Sequence, residues 1–421
     1  MKILWISNSP TMPSGYGSQT RQVGLRIAKA GYEIEFSAND GTRGDQEWNG
    51  LRVYGSGTDQ YSRDAVREDF RRSGADVILS LYDAWVYVER GDPFEGLPHV
   101  YSWMPIDHYP APPPLYPWLI KHQTIAMSKF GHRTLVDTAN AFIAQGQPMP
   151  MPDYVPHALE DVWRPEDGAA FRKIIDVPRD AFLVGIVAAN YGGRFYDRKG
   201  WGDMIAALGP FMRAHPDAYV YLHTLEDTQT GVPIPMALQA QGVPAERVRW
   251  ADQYALKKMA VSDEQMARIY SSFDVLLSTS RGEGFGLCVL EAQACGTPVI
   301  VSNWTAQPEL VGEPFDAMNL RNIRYPNGWV VAVDPDWDWR QAASGGKPQI
   351  GSILGALQDA LAHKGDQAMR DAALLKASDY RADDIFASMW LPLLKRIEGL
   401  VDKRPRRERR EEQRRLARAS A

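Results

Sequence analysis

Residues 275–302 read Val-Leu-Leu-Ser-Thr-Ser-Arg-Gly-Glu-Gly-Phe-Gly-Leu-Cys-Val-Leu-Glu-Ala-Gln-Ala-Cys-Gly-Thr-Pro-Val-Ile-Val-Ser, and this stretch is the most informative part of the chain. Its apolar ends, Val275–Leu277 and Val299–Val301, are typical of buried strands. Between them, a glycine-containing turn opens a helix that ends at Gly296-Thr297-Pro298. Strand, turn, helix and strand form one βαβ unit, and ligands bind where such turns leave a parallel sheet.

Two carboxylates, Glu283 and Glu291, bracket this turn, and Gly284 and Gly286 would let the backbone approach a ligand closely. The amides expected at the helix N-terminus, where a diphosphate is favoured, are those of Phe285, Gly286 and Leu287. The turn therefore predicts a diphosphate site. The alternative is an ordinary buried βαβ unit whose glutamates are solvated.

The bulk properties favour a two-domain protein. A chain of 421 residues is long for one compact core. Hydrophobic content of 44% and charged content of 24% are typical of globular proteins that dissolve in water. No apolar run reaches the roughly 18–20 residues that cross a bilayer. The start, Met1-Lys2-Ile3-Leu4-Trp5-Ile6-Ser7-Asn8, turns polar too early for a signal peptide.

Cysteine usage predicts a reducing compartment. Cys288 and Cys295 are the cysteines of the chain, and both fall on the helix that carries Glu291. Seven residues of helix separate them by about 10 Å, because the rise is ~1.5 Å per residue. That exceeds the ~7 Å Cα limit for a disulfide, so we expect two free buried thiols and a cytoplasmic location.

Alternating strands and helices predict two α/β regions with parallel sheets. The first spans residues 1–170, and the second spans 177–380. Tyr154–Pro178 contains three prolines and suits a linker. The strand candidates are Ile3–Ile6, Ile34–Ser37, Val77–Leu81, Val100–Trp103, Thr124–Met127, Leu183–Val187, Tyr219–Leu222, Val248–Trp250, Val275–Leu277 and Val299–Val301. The helix candidates include Ser18–Ala30, Arg63–Arg72 and Trp201–His215.

The C-terminal part divides into a helix and a basic tail. Apolar residues recur on one side of residues 384–401, which predicts an amphipathic helix within the segment 381–401. The tail, 402–421, carries nine basic residues against three acidic ones between Lys403 and Arg418. A solvated, partly helical terminus is one interpretation. The other is an electrostatic contact with DNA or an anionic membrane.

Further candidates for ligand binding lie in three loops. Asp197-Arg198-Lys199-Gly200-Trp201 offers two cations for a diphosphate, and Arg194 is an alternative for the arginine. Ser14-Gly15-Tyr16-Gly17-Ser18 fails as a dinucleotide fingerprint, because Thr20 stands in place of its third glycine. A proline-rich loop contains Asp107 and His108, and its aromatic residues Tyr109, Tyr116 and Trp118 could stack on a sugar or a base.

Two further motifs are set aside. Asp334-Pro335-Asp336-Trp337-Asp338 has the Asp-x-Asp spacing of some metal sites, but it lacks their helix context, and we expect a surface loop without metal. His157 is expected to be structural.

The string Glu-Gly-Phe-Gly, Leu-Glu-Ala and Gly-Thr-Pro-Val-Ile, with Glu283 and Glu291 as a Glu-x7-Glu pair, resembles the family-4 retaining glycosyltransferases of bacteria and phages. The resemblance covers roughly residues 1–400. It implies the GT-B fold, in which two Rossmann-like domains face each other and a C-terminal crossover helix packs on the first. The first domain would bind the acceptor and the second the nucleotide-diphosphate sugar, with no metal or cofactor required.

The resemblance also implies residue roles. Lys199 matches the family's Lys-Gly pair at the diphosphate, and either Arg194 or Arg198 takes the arginine role. Gly15 and Gly17 match a loop that approaches the donor phosphates. Glu291 would accept hydrogen bonds from the ribose, and Glu283 would lie against the transferred sugar. The residue near the anomeric carbon would be Asp107 or His108.

The expected activity is retaining transfer of a sugar to a hydroxyl of a glycan, lipid, protein or hydroxylated DNA base. Two alternatives stay open. One is a nucleotide-sugar epimerase, and the other is a nucleic-acid-binding protein with a vestigial site.

Overall fold

The computed structural model describes residues 1–88, 91–192 and 196–401. The strands there are β1 (Lys2–Ser7), β2 (Glu33–Ala38), β3 (Gln46–Trp48), β4 (Leu51–Tyr54), β5 (Val77–Leu81), β6 (Val100–Met104), β7 (Gln123–Ala126), β8 (Asp153–Tyr154), β9 (Phe182–Val187), β10 (Ala218–His223), β11 (Val248–Trp250), β12 (Val275–Ser278), β13 (Val299–Ser302), β14 (Ile323–Tyr325), β15 (Gly328–Val331), β16 (Val333–Asp338) and β17 (Ala343–Pro348). The predicted basic tail, 402–421, lies outside the described residues.

The helices in the same ranges are α1 (Gly15–Lys29), α2 (Val66–Ser73), α3 (Tyr116–Leu119), α4 (Lys129–Ala144), α5 (Gly168–Ile174), α6 (Trp201–Ala214), α7 (Ile234–Ala240), α8 (Gln253–Lys257), α9 (Asp263–Ser271), α10 (Leu287–Ala294), α11 (Ile350–Ala362), α12 (Gln367–Ser378), α13 (Ala382–Ile385) and α14 (Leu391–Leu400). Their ends follow local chemistry. Helix α1 begins before the predicted Ser18 because the Ser14 hydroxyl accepts a hydrogen bond from the Gly17 amide at 3.1 Å.

The chain divides into two compact units. One comprises Met1–Trp103, His122–Thr124 and the segment that begins at Asp383. The other comprises Met104–Lys121 and Ile125–Ala382. The predicted domains, 1–170 and 177–380, stay predictions.

The first unit contains a mainly parallel sheet. Its strand order begins β3-β4-β2-β1-β5-β6, with β1 parallel to both β2 and β5. Strand β1 is almost wholly buried, as the central strand of a parallel sheet should be. The pair β3–β4 is antiparallel, unlike the pairs that β1 forms with β2 and β5. Its turn is at Asn49-Gly50, and both residues have a positive φ. An Asn-Gly pair is a strong hairpin signal, and it could have revealed these strands in the sequence.

The segment that begins at Asp383 packs into the first unit. A π-helical turn, Phe386–Trp390, joins α13 to α14. The Trp390 ring lies 6.0 Å from Trp5 of β1 and 5.0 Å from Trp103 of β6, measured between centroids. Three buried tryptophans in contact supply a large apolar area, and this area holds the C-terminal helix in place.

The second unit contains a doubly wound sheet in the order β11-β10-β9-β12-β13-β15-β14, in which β14 is antiparallel. Its core packs β9 and β10 against α6 and α11 through fully buried residues such as Ile186, Leu208 and Leu357. The strand order reverses between β9 and β12. Since ligands bind at the carboxyl ends of the strands at such a reversal, the loops after β9 and β12 are placed to form a site.

Two local expectations are wrong. The expected linker Tyr154–Pro178 is packed structure within the second unit, where the Arg172 guanidinium lies 2.7 Å from Asp274 and donates to the Ser272 carbonyl. The expected surface loop at Asp334–Asp338 is strand β16, which pairs with β17 in an antiparallel hairpin. Its alternating polar and bulky residues have the period of two that a strand requires.

Candidate functional site

The loop between β12 and α10 is built on glycines. Gly286 is the N-cap of α10 and has a φ of 110°, a conformation in which a side chain is strained. A Cβ on Gly284 would lie 2.0 Å from Cβ of Pro105, and one on Gly282 would lie 2.2 Å from the Asp107 carbonyl oxygen. These two glycines therefore allow segment 105–107 to pack closely against the loop, a role that the sequence did not reveal.

The Glu283 carboxylate has a cationic environment. Its Oε1 accepts hydrogen bonds from Lys199 Nζ and from the Ser280 hydroxyl, each at 2.6 Å. Its Oε2 lies 3.3 Å from Arg198 Nη1. Burial alone would raise the pKa of Glu283, but the charges of Lys199 and Arg198 outweigh burial and lower it. The carboxylate is therefore ionised and oriented.

The cations come from the loop that joins β9 to α6. Gly200 has a φ of 70°, and a Cβ there would lie 2.3 Å from the Thr279 carbonyl oxygen, so glycine is required after Lys199. The Asp197 carboxylate caps α6 by accepting hydrogen bonds from the amides of Trp201 and Gly202. The cations thus lie beside the loop after β12, at the reversal of strand order. Arg194, the alternative arginine, lies outside the described residues.

The amides expected to bind a diphosphate are at the start of α10, as the sequence indicates. The first four N–H groups of a helix have no acceptor within it. The Phe285 side chain points into packed structure, 5.2 Å from His157 and 5.8 Å from Tyr380 between ring centroids. Leu287 is the first residue of α10. Burial lowers the pKa of His157 to about 3, so this histidine is neutral.

Glu291 lies in the middle of α10, and its Oε2 accepts a hydrogen bond from the Tyr270 hydroxyl at 2.8 Å. Burial raises the pKa of Glu291 to about 7; the Tyr270 hydrogen bond opposes this shift, and the charge of Asp263 adds to it. Burial raises the pKa of the Cys288 thiol to about 11, and the charges of Glu283 and Glu291 add to this shift. The two glutamates differ in their partners, because Glu283 faces cations and Glu291 faces a phenol.

Asp107 and His108 lie beside this loop. His108 Nδ1 and Asp107 Oδ1 are 2.8 Å apart. Burial would raise the pKa of Asp107, but His108 and Arg198 lower it to about 2. For His108 the effect of burial is the opposite, because burial lowers the pKa of a histidine. The charges of Asp107 and Asp338 outweigh burial, so the net shift of the His108 pKa is upward. The structure brings both candidates to the site.

The β16–β17 hairpin adds contacts that the sequence did not predict. Arg281 Nη2 lies 2.8 Å from Asp203, and its Nη1 lies 3.0 Å from Asp336 of β16. Tyr109 and Ser344 exchange backbone hydrogen bonds of 3.0 and 2.9 Å. The hairpin is thereby fixed both to the loop after β12 and to the loop that contains His108. No local sequence signal gives these pairings.

The glycine-rich loop predicted to approach the donor phosphates is at the start of α1, in the first unit. A Cβ on Gly17 would lie 2.0 Å from the Met12 carbonyl oxygen, so packing requires glycine there, and the contact of Gly15 and Gly17 with a donor stays a prediction. Trp118 is buried and has no face exposed for stacking on a ligand, whereas Tyr109 is exposed. Among the residues that the structure describes, no group of three His, Cys, Asp or Glu side chains could hold a metal ion.

Comparisons with known proteins match part of this chain to a described family. Residues 190–336 match the family described as Glycosyl transferases group 1. A D-inositol 3-phosphate glycosyltransferase of Segniliparus rotundus is 30% identical over 184 residues, which are 43% of this chain and 38% of that protein. The chain thus spans well under half the length of this curated relative.

Solved structures share the fold over nearly the whole chain. Sucrose-phosphate synthase of Thermosynechococcus elongatus superposes with a TM-score of 0.68 at 18% identity, covering 96% of this chain and 100% of that one. Anabaena HepE in complex with UDP-glucose gives 0.64 at 15% identity, covering 94% and 100%. The chain therefore has the GT-B fold, and its segment 190–336, which contains Lys199, Glu283 and Glu291, matches the glycosyl transferases group 1.

Proposed function

We propose that this protein is a retaining glycosyltransferase that moves a sugar from a nucleotide-diphosphate sugar to a hydroxyl acceptor. The observation that carries the proposal is the contact of Glu283 with Lys199 and Arg198 at the N-terminus of α10. Cations and helix amides together form a site for a diphosphate. This cluster lies inside the segment that matches the glycosyl transferases group 1.

In the proposed complex, Lys199 and Arg198 neutralise the charge that develops on the leaving diphosphate, as preorganised cations do in group transfer. The amides of Phe285, Gly286 and Leu287 bind its oxygens. The ionised Glu283 accepts hydrogen bonds from hydroxyls of the transferred sugar, and Glu291 accepts them from the ribose.

Retention follows if the acceptor attacks from the face that the diphosphate leaves. The departing phosphate then takes the acceptor proton, and the anomeric carbon passes through an oxocarbenium-like state. Glu283 is already bound by two cations and a hydroxyl, which favours an orienting role over that of a covalent nucleophile. Asp107 and His108 both remain candidates beside the reacting carbon.

The nucleotide sugar and the acceptor are separate questions. HepE of Anabaena was solved with UDP-glucose, so UDP-glucose is the first donor to test. Glycan, lipid, protein and hydroxylated DNA base remain acceptor classes. No helix in the described ranges is both long and apolar enough to span a bilayer. A cytoplasmic location, independence from metals, and a DNA or membrane contact of the tail 402–421 stay proposals.

A donor screen tests the function. Nucleotide sugars that bind should raise the melting temperature, and the best donor should then give a glycosylated product with an acceptor panel. NMR of the anomeric proton should show the donor's configuration in the product. Conversion of the donor alone into a second nucleotide sugar would instead support an epimerase. Salt-dependent DNA binding without any transfer would support the nucleic-acid alternative.

A further inference from the structure

The hairpin β16–β17 presents a row of carboxylates. Asp334, Asp336 and Asp338 alternate along β16, so they project from one face of the strand. Asp336 pairs with Arg281, and Asp334 accepts a hydrogen bond from the Gln349 side chain. Asp338 is the deeply buried member of the row, and its carboxylate faces His108.

His108 lies between two carboxylates. Its Nδ1 is 2.8 Å from Asp107 Oδ1, and its Nε2 is 3.8 Å from Asp338 Oδ2. The side chains of His108 and Asp338 are only 6% and 5% exposed. His108 Nε2 makes no hydrogen bond within the described residues. On one face, the imidazole is stacked on the Tyr196 ring, with an interplanar angle of 28°.

We propose that Asp338 is a positioning residue of the transfer reaction, acting through His108: with Asp107 it fixes the orientation and the charge of the imidazole. This inference rests on the function proposed above. It assigns a role to strand β16, which lies outside the Glu-x7-Glu motif and has the Asp-x-Asp spacing of some metal sites.

The charges around the imidazole support this role. Burial lowers the pKa of His108, Asp107 and Asp338 raise it, and Arg198 opposes them. Asp338 remains ionised because Arg340, at 2.9 Å, and His108 lower its pKa against the effect of burial. Arg340 also lies over the Tyr196 ring, at 5.4 Å from its centroid. Two carboxylates therefore favour the imidazolium, and the guanidinium of Arg198 opposes them.

The position of Asp338 is enforced by contacts other than its own. Arg281 joins Asp336 of β16 to Asp203 of α6, and its carbonyl accepts a hydrogen bond from the Gly346 amide at 2.7 Å. An Asp338→Asn substitution should therefore leave the hairpin in place while removing one negative charge.

The test compares Asp338→Asn with Asp334→Asn, the same chemical change four residues away on the same face. The His108 ring signals, assigned with His108→Gln, are titrated by NMR in each protein. Asp338→Asn should move the His108 midpoint to lower pH, and Asp334→Asn should leave it unchanged. In Asp338→Asn, the part of the pH profile of kcat that depends on His108 should also move to lower pH. The value of kcat should fall about ten- to a hundredfold.

A double mutant separates positioning from general damage. In a His108→Gln background, Asp338→Asn should cause no further loss of kcat, because its effect passes through the ring. An unmoved midpoint in an active enzyme, or an equal loss in both backgrounds, overturns the role of Asp338. Absence of transfer by the wild-type protein with every donor overturns the proposed function itself, and with it any role of Asp338 in transfer.

Discussion

The Glu283 carboxylate and the Lys199 ammonium meet at 2.6 Å, although 84 positions separate them in the chain. Their loops follow β12 and β9, the neighbouring strands at which the sheet reverses its order. Both side chains are largely buried, so each charge depends on the other for compensation. The fold thus holds an ionised acid and a cation at the helix end where a diphosphate is proposed to bind.

Lys199→Ala should lower kcat/KM by about 10²–10³-fold, the usual cost of removing one group that stabilises developing charge. Glu283 keeps Arg198 and Ser280 as partners, so the fold should persist. Steady-state kinetics and a melting curve measure the two effects. Lys173→Ala, at an exposed lysine of α5, is the matched control and should be neutral. Near-normal turnover by Lys199→Ala would contradict the diphosphate role.

Nucleotide binding should depend on pH through Glu291. Its pKa is raised to about 7 by burial, and ribose hydroxyls bind the ionised carboxylate, so affinity should weaken as pH falls through 7. Glu291→Gln should bind more weakly and lose this dependence. Calorimetry measures the affinity of each protein for a nucleoside diphosphate above and below pH 7. The ligand's own titration affects both proteins equally, so the difference between them reports on Glu291. Equal affinities in the two proteins would remove the ribose assignment.

The same shift predicts an effect on stability. The Glu291 pKa rises from 4.5 to about 7 on folding, so the folded state binds more protons between these values and stability falls as pH rises through them. Glu291→Gln removes this loss, and above pH 7 it should stabilise the fold by on the order of 1–3 kcal/mol. Denaturant unfolding at pH 5 and pH 8 measures the difference. A wild-type protein that loses no more stability than the variant over this range would refute the raised pKa.

Two glycine substitutions should change the free energy of unfolding in opposite directions. In Gly284→Ala, the added Cβ meets Pro105 at 2.0 Å, and overpacking of this kind costs about 1–3 kcal/mol. Gly355→Ala places the same methyl in open space on α11, where alanine stabilises a helix by up to about 1 kcal/mol. Unfolding free energies measure both. A neutral Gly284→Ala would show that segment 105–107 does not press against the loop.

Much of the sheet could be predicted from the sequence, because buried parallel strands are continuous apolar runs. Val77–Leu81 and Val248–Trp250 have the predicted bounds, and βαβ order alone places Lys199 and Glu283 in loops that each join a strand to the next helix. The contact between these two depends on which strands are neighbours. That order is a property of the whole sheet.

Other parts of the site could not be predicted, because they depend on pairings distant in the chain. Nothing near Asp338 indicates that it faces His108, and nothing near Tyr270 indicates that it binds Glu291. The packing role of a glycine is hidden for the same reason, because Gly284 lies against Pro105, which is far away in the chain.

The proposed diphosphate site lies between Lys199, Arg198 and the start of α10. The most direct measurement is the calorimetric affinity of a nucleoside diphosphate relative to its parent nucleoside, in the wild-type protein and in Lys199→Met. We predict a large preference for the diphosphate in the wild type that mostly disappears in the variant. A preference of the same size in both proteins would show that Lys199 does not bind the diphosphate.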